Sequence, residues 1–290
     1  MSPPPPRRVR GDAPFLLLLA VVGGFYVVLV VAMLAADVWF LVRDTSPSGW
    51  LGRLFDHFAR TLSAPEIRYA VRLSLISCTL TAILSVWVAV PLGYLMSRYR
   101  FRGKWLLDAL LDIPIVLPPL VVGLSLLILF HVRLAGKPLE AYLQEYLHVS
   151  VTYAVPSVVL AQFSVACAFA VRTMRVTFEG LSPRHEQVAL TLGCSRAQAF
   201  WRVVLPSARR GVVTAATLAW ARALGEFGPI LVFSGATRFR TEVLPTTVFL
   251  ELSVGNLEAA VAVSLLMVLA AVIVLVIVRV YGMEAAVTGK

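Results

Sequence analysis

Charged side chains are scarce in this sequence. Asp, Glu, Lys and Arg make up 14% of its 290 residues, against 59% apolar types, whereas a soluble domain of ordinary composition carries about 25% charged residues. With a mean hydropathy of +0.84, the chain falls in the membrane class before any motif is read. Cysteine is also sparse. Cys78, Cys167 and Cys194 are too few and too far apart to frame a disulfide scaffold or a metal site. The four histidines, His57, His131, His148 and His185, are isolated from one another. No apolar stretch gathers the His, Cys or carboxylate cluster that a membrane-embedded enzyme needs. A Gly-rich phosphate loop ending in Gly-Lys-Ser/Thr is absent as well. The net charge of +10 is spread between apolar runs and forms no single basic patch, which argues against a nucleic-acid partner.

Long apolar runs are what the sequence does have. A spanning helix needs roughly 20 mostly apolar residues, and six runs qualify: Phe15 to Leu41, about Leu73 to Met96, Ile113 to Phe130, Val155 to Val171, Val212 to Phe233, and Leu257 to Tyr281. The first follows Arg7, Arg8 and Arg10 as a signal peptide would. It is about twice the length of a signal core and ends in no clean cleavage site, so it reads as a retained helix. Residues 1–14, with prolines at 3 to 6, read as a disordered cytoplasmic tail, and 15–285 as one transmembrane domain. With the N-terminus inside, the inner segments hold sixteen Lys and Arg and the outer segments nine. The positive-inside rule therefore puts both termini in the cytoplasm of a multi-pass protein of the cell membrane. Between the spans, 63–72 is expected to lead helically into the second, and Lys137 to Leu147 to form a short amphipathic helix.

Three local features bear on function. Pro91, Pro114, Pro118, Pro119 and Pro156 lie in or at the ends of spans, where each removes a backbone donor and bends the helix. Such breaks are tolerated at membrane depth where they line a protein-enclosed path, although simple packing kinks explain them equally well. Arg222 and Glu226, spaced i, i+4 inside the fifth span, share a helix face and can pair, as a structural bridge or as part of a gate. With Phe227 and Gly228 they form the expected constriction, facing Pro118 and Pro119. The third feature is the long inner loop, 175–210. Ser182 can cap a helix with Pro183 at its first position, Gly193 suits a left-handed stop, and a second helix from Arg196 to Val204 is expected to end at Leu205-Pro206.

This loop resembles the cytoplasmic loop of ABC importer permeases, whose pattern is Glu-Ala-Ala, three residues, Gly, nine residues, then Ile-x-Leu-Pro. Gly193, Val203, Leu205 and Pro206 match at that spacing, as does Ala189 in the triplet. Gln187 and Val188 depart from it, and Glu186 supplies an acid one residue early. Asp112-Ile-Pro-Ile-Val-Leu-Pro-Pro119 and Arg222-Ala-Leu-Gly-Glu-Phe-Gly228 resemble motifs of molybdate and sulfate permeases. Thr241 to Val263 resembles the stretch before the sixth span of molybdate and tungstate permeases.

The resemblance implies an all-α, polytopic type I importer fold with six transmembrane helices. It implies a non-catalytic subunit in the lipid membrane, most simply a homodimer with a second permease copy. Two cytoplasmic ATPase subunits would carry ATP and magnesium, and an external binding protein would deliver molybdate or tungstate. No cofactor and no metal are expected in this chain. Ser182, Pro183, Glu186, Gln187, Ala189, Gly193, Leu205 and Pro206 would meet the ATPase. Sulfate, a polyamine or ferric ion is the alternative cargo within the class. A membrane enzyme or a passive channel is the remote alternative, and a channel leaves the Gly193-to-Pro206 spacing unexplained.

Overall fold

The computed structural model describes residues 13–43, 50–134 and 136–287. The expected tail at 1–14 lies almost wholly outside them. The described residues fall into two compact units, divided after Ala59.

The first unit is dominated by α1, Ala13–Val42. It is apolar on every side, as the run Phe15 to Leu41 requires, and its 30 residues make about 45 Å of helix. A second helix, α2 (Trp50–Ser63), begins in this unit. Its sequence alternates apolar and charged residues at helical spacing, which suits a helix lying in a membrane interface. Reading the sequence for long apolar runs passes over it.

The second unit is built on α3 (Pro65–Arg98) and α7 (Val155–Gly180). Pro65 starts α3 at a position where a missing N–H costs nothing, and the helix runs on through the second expected span. Its buried side is made of small residues, among them Ala70, Ser74, Ser77, Ala82, Ala89 and Gly93. Ala161, Ala166 and Ala170 match them on α7. Lipid gives apolar side chains no reason to leave it, so spans hold together by close van der Waals contact, and small residues permit that. A Cβ on Gly93 would lie 2.8 Å from the Cβ of Met174. Between α3, α7 and the later helices sits the main core, with Val171, Met174, Phe178 and Trp220.

Two expected spans are not continuous. The third is divided into α4 (Lys104–Val116) and α5 (Pro119–His131), which meet at 112°. A proline disfavours the helical conformation in the residue before it. Leu117 and Pro118 each precede a proline, and both are extended, with ψ of 139° and 133°. The chain therefore turns a corner where a kink was expected. The fifth is divided into α11 (Arg209–Leu224) and the short α12 (Gly228–Phe233). Among the described residues, four helices are long and apolar enough to cross a membrane alone, and the bent pair makes a fifth if it counts as one span.

The remaining helices are α6 (Leu139–Leu147), α8 (Arg184–Thr191), α9 (Arg196–Ala199), α10 (Leu205–Ser207), α13 (Leu244–Ser253) and α14 (Leu257–Val287). A two-residue hairpin pairs Arg133 with Pro138 just before α6.

Candidate coupling loop and translocation path

The loop after α7 folds as two short helices around a glycine. Pro183 precedes α8, and the Ser182 hydroxyl accepts a long bond of 3.4 Å from the Arg184 N–H. At the far end Gly193 adopts φ = +90°. The Cys194 N–H reaches back to the Ala189 carbonyl at 3.1 Å and the Gly193 N–H to Leu190 at 3.0 Å. These are the bonds of a left-handed helix stop, which glycine enters without a Cβ penalty. Ser195 and Gln198 then cap α9 reciprocally, each side chain bonding the other's backbone N–H at 3.2 and 2.9 Å. That Ser-x-x-Gln signal is readable in the sequence.

The second helix does not end at Leu205-Pro206 as expected. Phe200–Val204 forms a π-helical turn, and the Leu205 N–H bonds the Phe200 carbonyl. Pro206 cannot donate to the carbonyl four residues back and its ring crowds it. A wider turn accommodates the ring, and the chain stays helical through α10 into α11. Pro206 itself is exposed and Leu205 half-buried.

The residues expected to contact a partner divide between two directions. Gln187 is exposed, and Val188 and Leu192, one helical turn apart, are 56% and 79% exposed. Ala189 is buried. Glu186 also turns inward. Its carboxylate accepts a 2.5 Å bond from the Tyr94 hydroxyl and lies 3.4 Å from Arg98 Nε. Arg98 in turn donates to the Leu181 carbonyl at 3.0 Å. The acid shifted by one residue thus ties α8 to the end of α3, where Tyr94, Tyr99, Phe178 and Phe200 form an aromatic cluster. Arg196 joins it through the Tyr99 hydroxyl at 3.3 Å.

The second site lies where the two divided spans meet. Arg222 and Glu226 pair at 2.7 Å, with Glu226 only 1% exposed and Arg222 32%. The Arg222 guanidinium also sits 5.7 Å from the Phe169 ring centre, within cation–π range. Gly228 approaches the start of α5 so closely that a Cβ there would stand 3.0 Å from Leu120 N and from Pro119 Cβ. Gly123 makes the same kind of contact with the Pro229 backbone, at 2.8 Å. Phe227 packs on Phe249 of α13, with ring centres 5.4 Å apart. The structure therefore brings Pro119, Glu226, Phe227 and Gly228 into one neighbourhood, with Pro118 exposed beside them.

Sequence reasoning missed two polar residues. Gln162, on α7, is 1% exposed and bonds both α3 and the end of α11. Its signal was a lone amide in an apolar run. Glu242, in the segment before α13, is fully buried, and neither carboxylate oxygen has a partner. Burial pushes its carboxyl above the ordinary carboxylate range, against the opposing pulls of the nearby Thr247 hydroxyl and, more weakly, of Arg238. Arg238 itself bridges Glu251 at 2.9 Å and Glu66 at 3.6 Å. Among the described residues no cluster of three or more His, Cys, Asp or Glu side chains is arranged to hold a metal ion.

Residues 89–283, which hold the loop and both divided spans, match the family model of the binding-protein-dependent transport system inner membrane component. The chain belongs to this family. It is therefore an ABC importer permease, a multi-pass membrane subunit. Relatives of this permease include the sulfate transport system permease protein CysT of Escherichia coli, 33% identical over 74% of this chain and 76% of that one. The molybdenum transport system permease protein ModB of Mycobacterium tuberculosis is 36% identical over 75% and 80%. The molybdate/tungstate transport system permease protein WtpB of Pyrococcus abyssi is 35% identical over 61% and 65%. In fold, the permease matches a chain of a bacterial alginate ABC transporter solved in complex with an alginate pentasaccharide-bound periplasmic protein. The TM-score is 0.70 at 16% identity, covering 97% of this chain and 96% of that one.

Proposed function

We propose that this permease passes molybdate or tungstate from an external binding protein to the cytoplasm by alternating access, driven by a separate ATPase. Two copies of the chain enclose the path, and two ATPase subunits, carrying ATP and magnesium, dock on the loop 175–210. Both termini and that loop lie on the cytoplasmic side. The carrying observation is the α8–Gly193–α9 unit. It presents Gln187, Val188 and Leu192 outward while Glu186 fastens it to Tyr94 and Arg98. Closure of the ATPase dimer then pulls on α3 directly. The breaks at Pro118–Pro119 and Gly225–Phe227 let α5 and α12 move as short rigid pieces. The chain itself hydrolyses nothing.

The oxyanion reading is supported by the relatives named for molybdenum and for molybdate/tungstate, with the matching spans of this chain. The CysT relative favours sulfate as a second reading. Cargo is weakly held by a conducting path, so selection belongs to the binding protein. Calorimetric titration of the cognate binding protein separates the two. Molybdate and tungstate should bind at least about 100-fold tighter than sulfate, roughly 2.7 kcal/mol. The reverse order would assign sulfate.

A further inference from the structure

The fifth span stops at Leu224, well short of a full crossing, and a helix end inside a membrane leaves backbone carbonyls without partners. One of these, the Ala223 carbonyl, accepts the Glu226 N–H at 3.2 Å. The Gly225 N–H turns to the same oxygen, and a donor arrives from another helix as well: Gln162 Nε2 bonds it at 3.3 Å. The Gln162 amide is fully engaged. Its Oε1 accepts from the Thr81 hydroxyl of α3 at 3.2 Å, and Nε2 also lies 3.6 Å from Cys78 Sγ. A single side chain, 1% exposed, therefore links α3, α7 and the end of α11. The carbonyl it holds is the one that fixes the backbone of Glu226.

We propose that Gln162 is a positioning residue: an amide latch that determines where the fifth span breaks and so where Glu226 sits beside Arg222. A primary amide suits this place because it offers a donor and an acceptor at once without charge. An apolar side chain of the same length packs as well but takes from the Ala223 carbonyl its one donor from another helix, and leaves Thr81 only its longer bond to the Val159 carbonyl, 3.4 Å. The latch rests on the reading of the Arg222–Phe227 break as part of the translocation path, and the experiment below distinguishes the two.

The test uses the assembled permease–ATPase complex in lipid nanodiscs, read by hydrogen exchange of peptides covering residues 223–228. Gln162→Met keeps the volume and loses the bonds, and exchange at those amides should rise about tenfold. Thr81→Val, which removes the bond that orients the amide together with the hydroxyl's contact to the Val159 carbonyl, should give a smaller rise, and Thr81→Ser should match the wild type. The double variant T81V/Q162M should equal Q162M alone, since both act through one amide. Exchange in Q162M within twofold of the wild type overturns the latch. Stimulation of ATP hydrolysis by binding protein loaded with molybdate should fall in the same order as exchange rises. If exchange rises while stimulation is untouched, the latch stands and the path reading of the break fails.

Discussion

Glu226 shows what a single carboxylate requires at membrane depth. It is shielded almost completely and touches one cation, which itself is a third open. Removing the cation leaves an uncompensated buried charge, the costly way to break such a pair. Arg222→Met should therefore destabilise the permease by about 3 kcal/mol, seen as a lowered thermal midpoint in detergent. Adding Glu226→Gln should restore most of it, and a double variant as unstable as the single would mean that the pair is not what the arginine serves. Glu242 carries the opposite lesson, a buried acid with no cation in contact. Its pKa is raised by burial, so the folded state binds the proton more tightly than the unfolded chain does. Stability is then greatest below the ordinary carboxylate range and declines as pH rises toward the raised value. Glu242→Gln should be neutral near pH 4 and raise the thermal midpoint increasingly toward pH 8. A gain that is flat with pH would contradict the assignment.

At the scale of elements, the glycine between α8 and α9 is the most exposed to test. A Cβ at Gly193 would meet nothing within 4 Å, but φ = +90° is unfavourable for any other residue. Gly193→Asp should leave the permease in the membrane while ligand-stimulated ATPase activity collapses, because the two helices lose their mutual angle. Full stimulation in the reconstituted variant would show that the angle is unimportant. This stop was legible in the sequence because one residue type and one spacing determine it. The Arg222–Glu226 pair was legible for the same reason, being four residues apart on one helix. The corner at Pro118 was visible only as a bend of unknown size, since the angle depends on how α5 packs against α12. The inward turn of Glu186 and the Gln162 latch depend on helices 92 and 61 residues away. No local pattern encodes contacts at such separations. The amphipathic α2 could have been found by periodicity and was hidden by the search for long apolar runs.

For the whole molecule, the side of the membrane on which the loop lies is the quantity that ties structure to mechanism. Cys194 sits in the loop and is half-buried, Cys78 is buried within α3, and Cys167 is half-buried within α7. A membrane-impermeant maleimide should label Cys194 in inverted vesicles and not in right-side-out ones, while Cys78 stays silent in both. Cys194→Ser should abolish that labelling, and labelling from outside would invert the topology. The fold otherwise follows from a few chemical preferences. Small residues bring α3 and α7 together, adjacent prolines divide the third span, and polar side chains are kept where a broken backbone needs them.

The π-helical turn at Phe200–Val204 has a consequence for phase. Each residue of an α-helix advances the azimuth by about 100°, and a π turn holds one residue more than an α turn. The α8–α9 unit ahead of it is therefore dialled by roughly a quarter of a revolution relative to α11, compared with an unbroken α-helix. The face bearing Val188 and Leu192 points where it does because of that one surplus residue. The turn acts as an indexing notch in a shaft, fixing the angle between the α8–α9 unit and α11.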